Sequence, residues 1–243
     1  MEDRNKIAAD RLAKDMQTRG CPVCNHIWKS VFEFFAQWNY SLANNENIQK
    51  ENAASLGLCP FHSWQLVAMA SPQGISKGYV QLLRRIADEL LTLSNRSGNR
   101  QEDLASLIKD SRDCRICSLM RETEADYLQQ LAEFITKQEN RLLYSNSHGL
   151  CLRHLGLLTA LVSDPEVVQF LLKEAAGYFG QLAKDMENYS LKLASRQRYL
   201  CSRDEKDAYV RAILHIAGGQ NICIQGSNES WLKINRQGKN CEE

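Results

Sequence analysis

Four short motifs in this chain carry side chains that coordinate metal ions. Cys21-Pro22-Val23-Cys24 and Cys114-Arg115-Ile116-Cys117 are CxxC pairs, and Cys59-Pro60-Phe61-His62 and Cys151-Leu152-Arg153-His154 are CxxH pairs. Each CxxC precedes a CxxH by nearly the same distance, 34 residues in the first half and 33 in the second. Three thiolates and one imidazole fill a tetrahedral zinc site, and C-x2-C spacing lets two sulfurs reach one ion at about 2.3 Å. The simplest assignment gives one zinc ion to Cys21, Cys24, Cys59 and His62 and a second to Cys114, Cys117, Cys151 and His154. A crossed assignment, the first CxxC with the second CxxH, stays open. Four protein ligands leave no open position for water, which favours structural over hydrolytic zinc.

Two other chemistries use these residues. Cysteine sites with one histidine can hold iron–sulfur clusters, which makes electron transfer or redox sensing the alternative function. Thiol–disulfide exchange is a third reading and leaves both CxxH units unexplained; the chain also lacks the βαβ pattern of a thioredoxin-like fold. A Gly-rich phosphate loop, a nucleophile elbow and an H-E-x-x-H helix are absent from the sequence, so it points away from an enzyme and offers no catalytic residue. His26 and His148 have no counterpart in the other half and read as neighbours of a site or surface groups; His215 reads as a packed or solvated histidine. Cys201, Cys223 and Cys241 follow no ligand spacing. They read as one core thiol and two tail thiols.

The elements that must position the motifs are helical. Only four prolines and thirteen glycines interrupt 243 residues. Residues 1–20 form a short amphipathic helix ending at Gly20, and residues 21–42 a very apolar one. Its aromatic group, Trp28, Phe32, Phe34, Phe35, Trp38 and Tyr40, is expected in the core rather than around a cofactor. Residues 44–52 are a loop or weak helix, 59–70 a helix closed by Ser71-Pro72-Gln73-Gly74, and 75–93 a helix with Leu82, Leu83, Ile86 and Leu90 on one face. After a polar linker at 94–100 the plan repeats. Helices are expected at 104–109 and 114–136, and Gly149-Leu150-Cys151 repeats Gly57-Leu58-Cys59 at an offset of 92. Ser163-Asp164-Pro165 starts a long helix over 167–193.

The expected fold is all-α: two tandem three-helix units, at 1–95 and 101–198, each with a cysteine/histidine metal site and packed as one globular unit. A C-terminal helix at 199–219 docks across the repeats, and 220–243 reads as a poorly ordered tail. In every motif the cysteine opens a helix. There, unpaired N–H groups and the helix dipole stabilise thiolates, and residues i and i+3 aim their ligating atoms the same way.

The doubled pattern, CPVC with GLCPFH and CRIC with GLCLRH, resembles an uncharacterised family of prokaryotic proteins known as a domain of unknown function. The late segment Asp204–Tyr209, Arg211–Leu214 and Gly218 is similar to that family too, with Tyr209 at a tryptophan position. The resemblance implies a helical protein with two cysteine/histidine sites and carries no activity with it. Thirty basic and twenty-nine acidic side chains leave a formal charge of +1, which supplies no field for nucleic acid or an anionic membrane. The N-terminus lacks the apolar stretch of a signal peptide, and no apolar run reaches the roughly 18 residues of a membrane span. A cytoplasmic protein is expected, its partner another protein or a small ligand, with nine cysteines kept as ligands or thiols rather than disulfides.

Overall fold

The computed structural model describes residues 2–95, 100–108, 110, 113–220 and 222, with backbone alone for 2–8 and 100. Among these residues the chain is all-α, with twelve α-helices and a single 3-10 turn at Arg198–Leu200. The helices are α1 (Glu2–Met16), α2 (Pro22–Asn44), α3 (Glu46–Ala54), α4 (Pro60–Met69), α5 (Pro72–Gly78) and α6 (Val80–Ser94). There follow α7 (Arg100–Ser106), α8 (Arg115–Thr136), α9 (Gln138–Ser145), α10 (Leu152–Leu161), α11 (Pro165–Ala194) and α12 (Arg203–Ala217).

The second half follows the plan of the first in finer grain than three helices per repeat: α7 to α10 correspond to α1 to α4, α11 to α5 and α6 together, and α12 is additional. Residues 44–52, ambiguous by periodicity, become α3 because Asn45 caps it, accepting the N–H groups of Asn47 and Ile48. Its counterpart α9 was not expected from the sequence. Ser71-Pro72 opens a helix instead of ending one, with Ser71 capping Gly74 N–H and Pro72 in the first turn. The helix expected over 75–93 is therefore divided at Tyr79, beside Gly78, where an added Cβ would run into Leu42.

The compact units of the structure cut across the two sequence repeats. One contains α1, α2 as far as Trp28, and the chain from Thr123 to α12; the other runs from Lys29 to Glu122. Both boundaries fall inside long helices, α2 and α8. In the first unit Leu12, Met16, Ile27, Leu128, Leu158 and Leu171 are buried, and Asp15 accepts the Tyr127 hydroxyl at 3.1 Å. In the second, Val31, Phe35, Leu42, Leu66, Leu82 and Ile116 make the core. Of the aromatic group on α2, Phe35 and Trp38 are buried, whereas Phe32 and Tyr40 are 52% and 74% exposed. The buried stripe of α2 is the i, i+4 row through Val31 and Phe35 with Trp38 and Leu42, and Phe32 and Tyr40 lie off it.

Helix α12 docks as expected on parts of both repeats, all within the first unit. It packs on α10 and α11, and Arg19 of the first repeat pairs with Asp204 and Asp207. A capping box of Ser202 and Glu205 starts it, Lys192 Nζ lies 2.7 Å from Glu205, and the buried Arg211 meets Asp185 at 3.0 Å. No helix among the described residues is long and apolar enough to cross a membrane. The tail expected beyond 220 lies outside the described residues except for 222, as does most of the linker at 94–100.

Candidate metal centres

All four motifs adopt the same local structure. Cys21, Cys59, Cys114 and Cys151 each stand immediately before the first residue of a helix. Cys59 and Cys151 are extended, at φ −63°, ψ 162° and φ −70°, ψ 159°. In each motif the first cysteine's carbonyl accepts the N–H four residues on, at 2.9 to 3.0 Å, from Asn25, Ser63, Ser118 and Leu155. The second ligand of each motif, Cys24, His62, Cys117 or His154, falls three residues later in the first turn and shares the cysteine's side of the helix. The chain enters both CxxH helices through a glycine at positive φ, Gly57 at 73° and Gly149 at 71°. The leucine that follows, Leu58 or Leu150, is buried. Repeated Gly-Leu-Cys thus encodes a turn, an anchor and a helix start.

The tertiary structure brings all eight side chains together in two groups of four, and the grouping is crossed. Cys21 and Cys24 meet Cys151 and His154, while Cys114 and Cys117 meet Cys59 and His62. The assignment of each site to one repeat is therefore corrected. Spacing within a motif fixes which two ligands share a helix start, but the 34 and 33 residues between a CxxC and the following CxxH fix no return path, so long-range packing decides which pairs meet. Each CxxH arrives at the other repeat's CxxC. Either group lies within a single compact unit.

Within each group the donor atoms all lie within 4.8 Å of one another. His154 Nδ1 is 3.3, 3.4 and 3.1 Å from the sulfurs of Cys21, Cys24 and Cys151, and Cys24 and Cys151 are 3.8 Å apart. His62 Nδ1 is 3.2, 3.6 and 3.3 Å from those of Cys59, Cys114 and Cys117, and Cys59 and Cys117 are 3.8 Å apart. A tetrahedron with zinc–sulfur bonds of 2.3 Å and zinc–nitrogen bonds near 2.05 Å has edges of about 3.8 Å between sulfurs and about 3.5 Å from sulfur to nitrogen. Both donor sets fit that figure and could hold an ion. The nitrogen that faces the sulfurs is Nδ1 in each.

All eight side chains are buried, none more than 7% exposed. Burial pushes the Cys21 thiol well up, and its neighbours Cys151 and Cys24 push the same way. In the other group the Cys117 thiol beside it draws Cys114 down to about 3, and Cys117 itself is driven up. Burial alone would depress the His154 imidazole, but hydrogen bonds to Cys151, Cys24 and Glu124 outweigh it and hold the ring well above its ordinary value.

Behind the ligands stand residues that spacing did not single out. His154 Nε2 lies 2.9 Å from Glu124 Oε1, and Arg153 grips the same carboxylate through Nε and Nη2 at 2.9 and 3.0 Å. Burial would raise the Glu124 carboxyl, yet the bonds from His154 and Arg153 hold it below its ordinary value. His62 Nε2 faces the Met120 sulfur at 3.2 Å. A signal for Glu124 existed: it interrupts the apolar row Ile116, Met120, Leu128 of α8 with a charge, and a buried acid requires a partner.

The remaining candidates among the described residues stay out of both groups. His26 packs against the Tyr127 ring at 4.7 Å, and His148 is half-buried. His215 is buried as a packed histidine, with Nδ1 3.2 Å from the Leu150 carbonyl and its ring 4.6 Å from that of Tyr178. Cys201 is a buried thiol, and Cys223 and Cys241 fall outside the described residues.

Comparison with curated proteins and with solved structures gives no match. Residues 81–222, from α6 through α12, match the sequence pattern of DUF6062, described as a family of unknown function. That span contains the second CxxC, the second CxxH, Glu124 and the docking helix. With well over half of its 243 residues inside the match, the chain belongs to DUF6062.

Proposed function

We propose that this protein is a helical scaffold held by two structural zinc ions, one bound by Cys21, Cys24, Cys151 and His154 and the other by Cys59, His62, Cys114 and Cys117. The observation that carries the reading is the spacing of the donors: sulfur–sulfur distances of 3.8 Å and sulfur–nitrogen distances of 3.1 to 3.6 Å suit one four-coordinate ion. An iron–sulfur cluster would need room for at least two irons and their bridging sulfides, and donors all within 4.8 Å of one another leave space for one ion. Thiol–disulfide exchange requires an accessible thiolate, whereas these cysteines are buried.

Each ion would join two helix N-termini contributed by different repeats, so the metal does what neither repeat can do alone. Four protein donors leave no position for a substrate, which supports a role in holding a surface for a protein partner rather than in catalysis. Free thiolate ligands suit a reducing compartment such as the cytoplasm. Elemental analysis of protein purified without air tests the reading, with two zinc ions per chain and a colourless solution expected. Cobalt substitution should add the visible bands of tetrahedral cobalt–thiolate centres. Iron with labile sulfide, or no metal at all, would refute it.

A further inference from the structure

The two centres use the same ligand types and differ in what stands behind the histidine. In the Cys21 centre, His154 Nε2 meets a carboxylate at 2.9 Å, and that carboxylate, 1% exposed, is itself clamped by Arg153. The Cys24 sulfur there also accepts the Gly219 N–H at 3.2 Å. In the Cys59 centre, the partner of His62 Nε2 among the described residues is the thioether of Met120 at 3.2 Å, an uncharged and weak acceptor. Both ligand sets are buried, so exposure does not separate the centres; the contrast lies in the partner of the histidine. A carboxylate behind a ligating histidine fixes its tautomer and raises its basicity, and loss of such a partner costs roughly 10–100-fold in metal affinity.

On the zinc reading above, we infer that the two sites are unequal: the Cys21 centre holds its ion permanently, and the Cys59 centre exchanges its ion with competing thiol or amine chelators. Glu124 and Arg153 are positioning residues that act through His154, and among the described residues Met120 stands at the corresponding place behind His62. The first unit then stays locked whenever the protein is folded. The helix starts of α4 and α8 in the second unit are joined only while zinc is supplied.

Titration of the two-zinc full-length protein with a chromophoric zinc chelator tests this. Two steps of one zinc each are expected, separated by roughly 10–100-fold in affinity. Cadmium-113 substitution assigns them, because each ion couples to the imidazole of its own histidine and the signal tied to His62 should vanish first. Glu124→Gln should move the tighter step toward the weaker by roughly 10–100-fold and leave the weaker in place. Arg153→Met, altering a partly exposed side chain, should shift the same step less and serves if the first variant does not fold. A single step, prior loss of the His154-coupled signal, or equal shifts of both steps in the variants would overturn the inference while leaving two zinc sites standing. Fewer than two zinc ions per chain would remove the zinc reading and this inference with it.

Discussion

Removing zinc is the most informative perturbation. Without an ion, six sulfurs and two imidazoles, none more than 7% exposed, face one another inside the protein with only weak S–H hydrogen bonds to join them. An ion at a free concentration a thousand times its dissociation constant adds about 4 kcal/mol of stability per site, so two sites contribute roughly 8 kcal/mol. A domain's total stability is only about 5–15 kcal/mol, so the metal supplies a large share of it. For a chain of this size 1 kcal/mol moves the melting temperature by about 2–4 °C, which translates into roughly 8–16 °C for each site emptied. Circular dichroism melts of zinc-loaded protein, and of the same protein after chelation and confirmed metal loss, measure the shift. Restoring zinc should recover it. If demetallated protein melted within about 2 °C of the loaded form, the argument that the ions hold helix N-termini together would fail.

Three further outcomes follow from individual residues. Gly149→Ala should cost about 1–2 kcal/mol in urea denaturation through strain at positive φ, and Gly57→Ala more, because its Cβ would also stand 2.9 Å from Leu82 Cδ2; equal losses would contradict this. Hydrogen bonds from Lys192, and then from the Ser202 N–H, hold Glu205 below its ordinary 4.5. Burial would raise Asp207, but Arg19 and Arg211 outweigh it and keep it below 3.8. Depressed carboxyls contribute stability that is complete above their unfolded values and lost as pH falls through the folded ones. Docking of α12 should therefore hold above pH 4.5 and loosen as pH drops past 3.8, seen as hydrogen exchange of 203–217 corrected for its intrinsic pH dependence. Cys201→Ala should keep two zinc ions per chain and cost about 1 kcal/mol, whereas Cys151→Ala should lose one; zinc loss from the first would mean that a ligand has been misassigned.

Much of the molecule was legible from short-range pattern. The eight ligand candidates, the helix starts that carry them and the paired Gly-Leu-Cys turns depend on residues within about four positions of one another, where spacing and backbone conformation decide the outcome. Helix α3 was half legible because its cap, Asn45, is local, while its apolar content is too slight to show a period. The division at Tyr79 was hidden because it depends on how closely Gly78 approaches Leu42, more than thirty residues earlier in the chain.

Sequence alone determined that four ligand pairs each open a helix, since an i, i+3 pair in a first turn converges whatever the rest of the chain does. Tertiary structure decided which pair meets which, because the pairs that meet lie at least 52 residues apart in the chain, beyond the reach of local pattern. It also placed Glu124 behind one histidine and Met120 behind the other. Such long-range geometry leaves no mark on spacing, which is the same in both repeats.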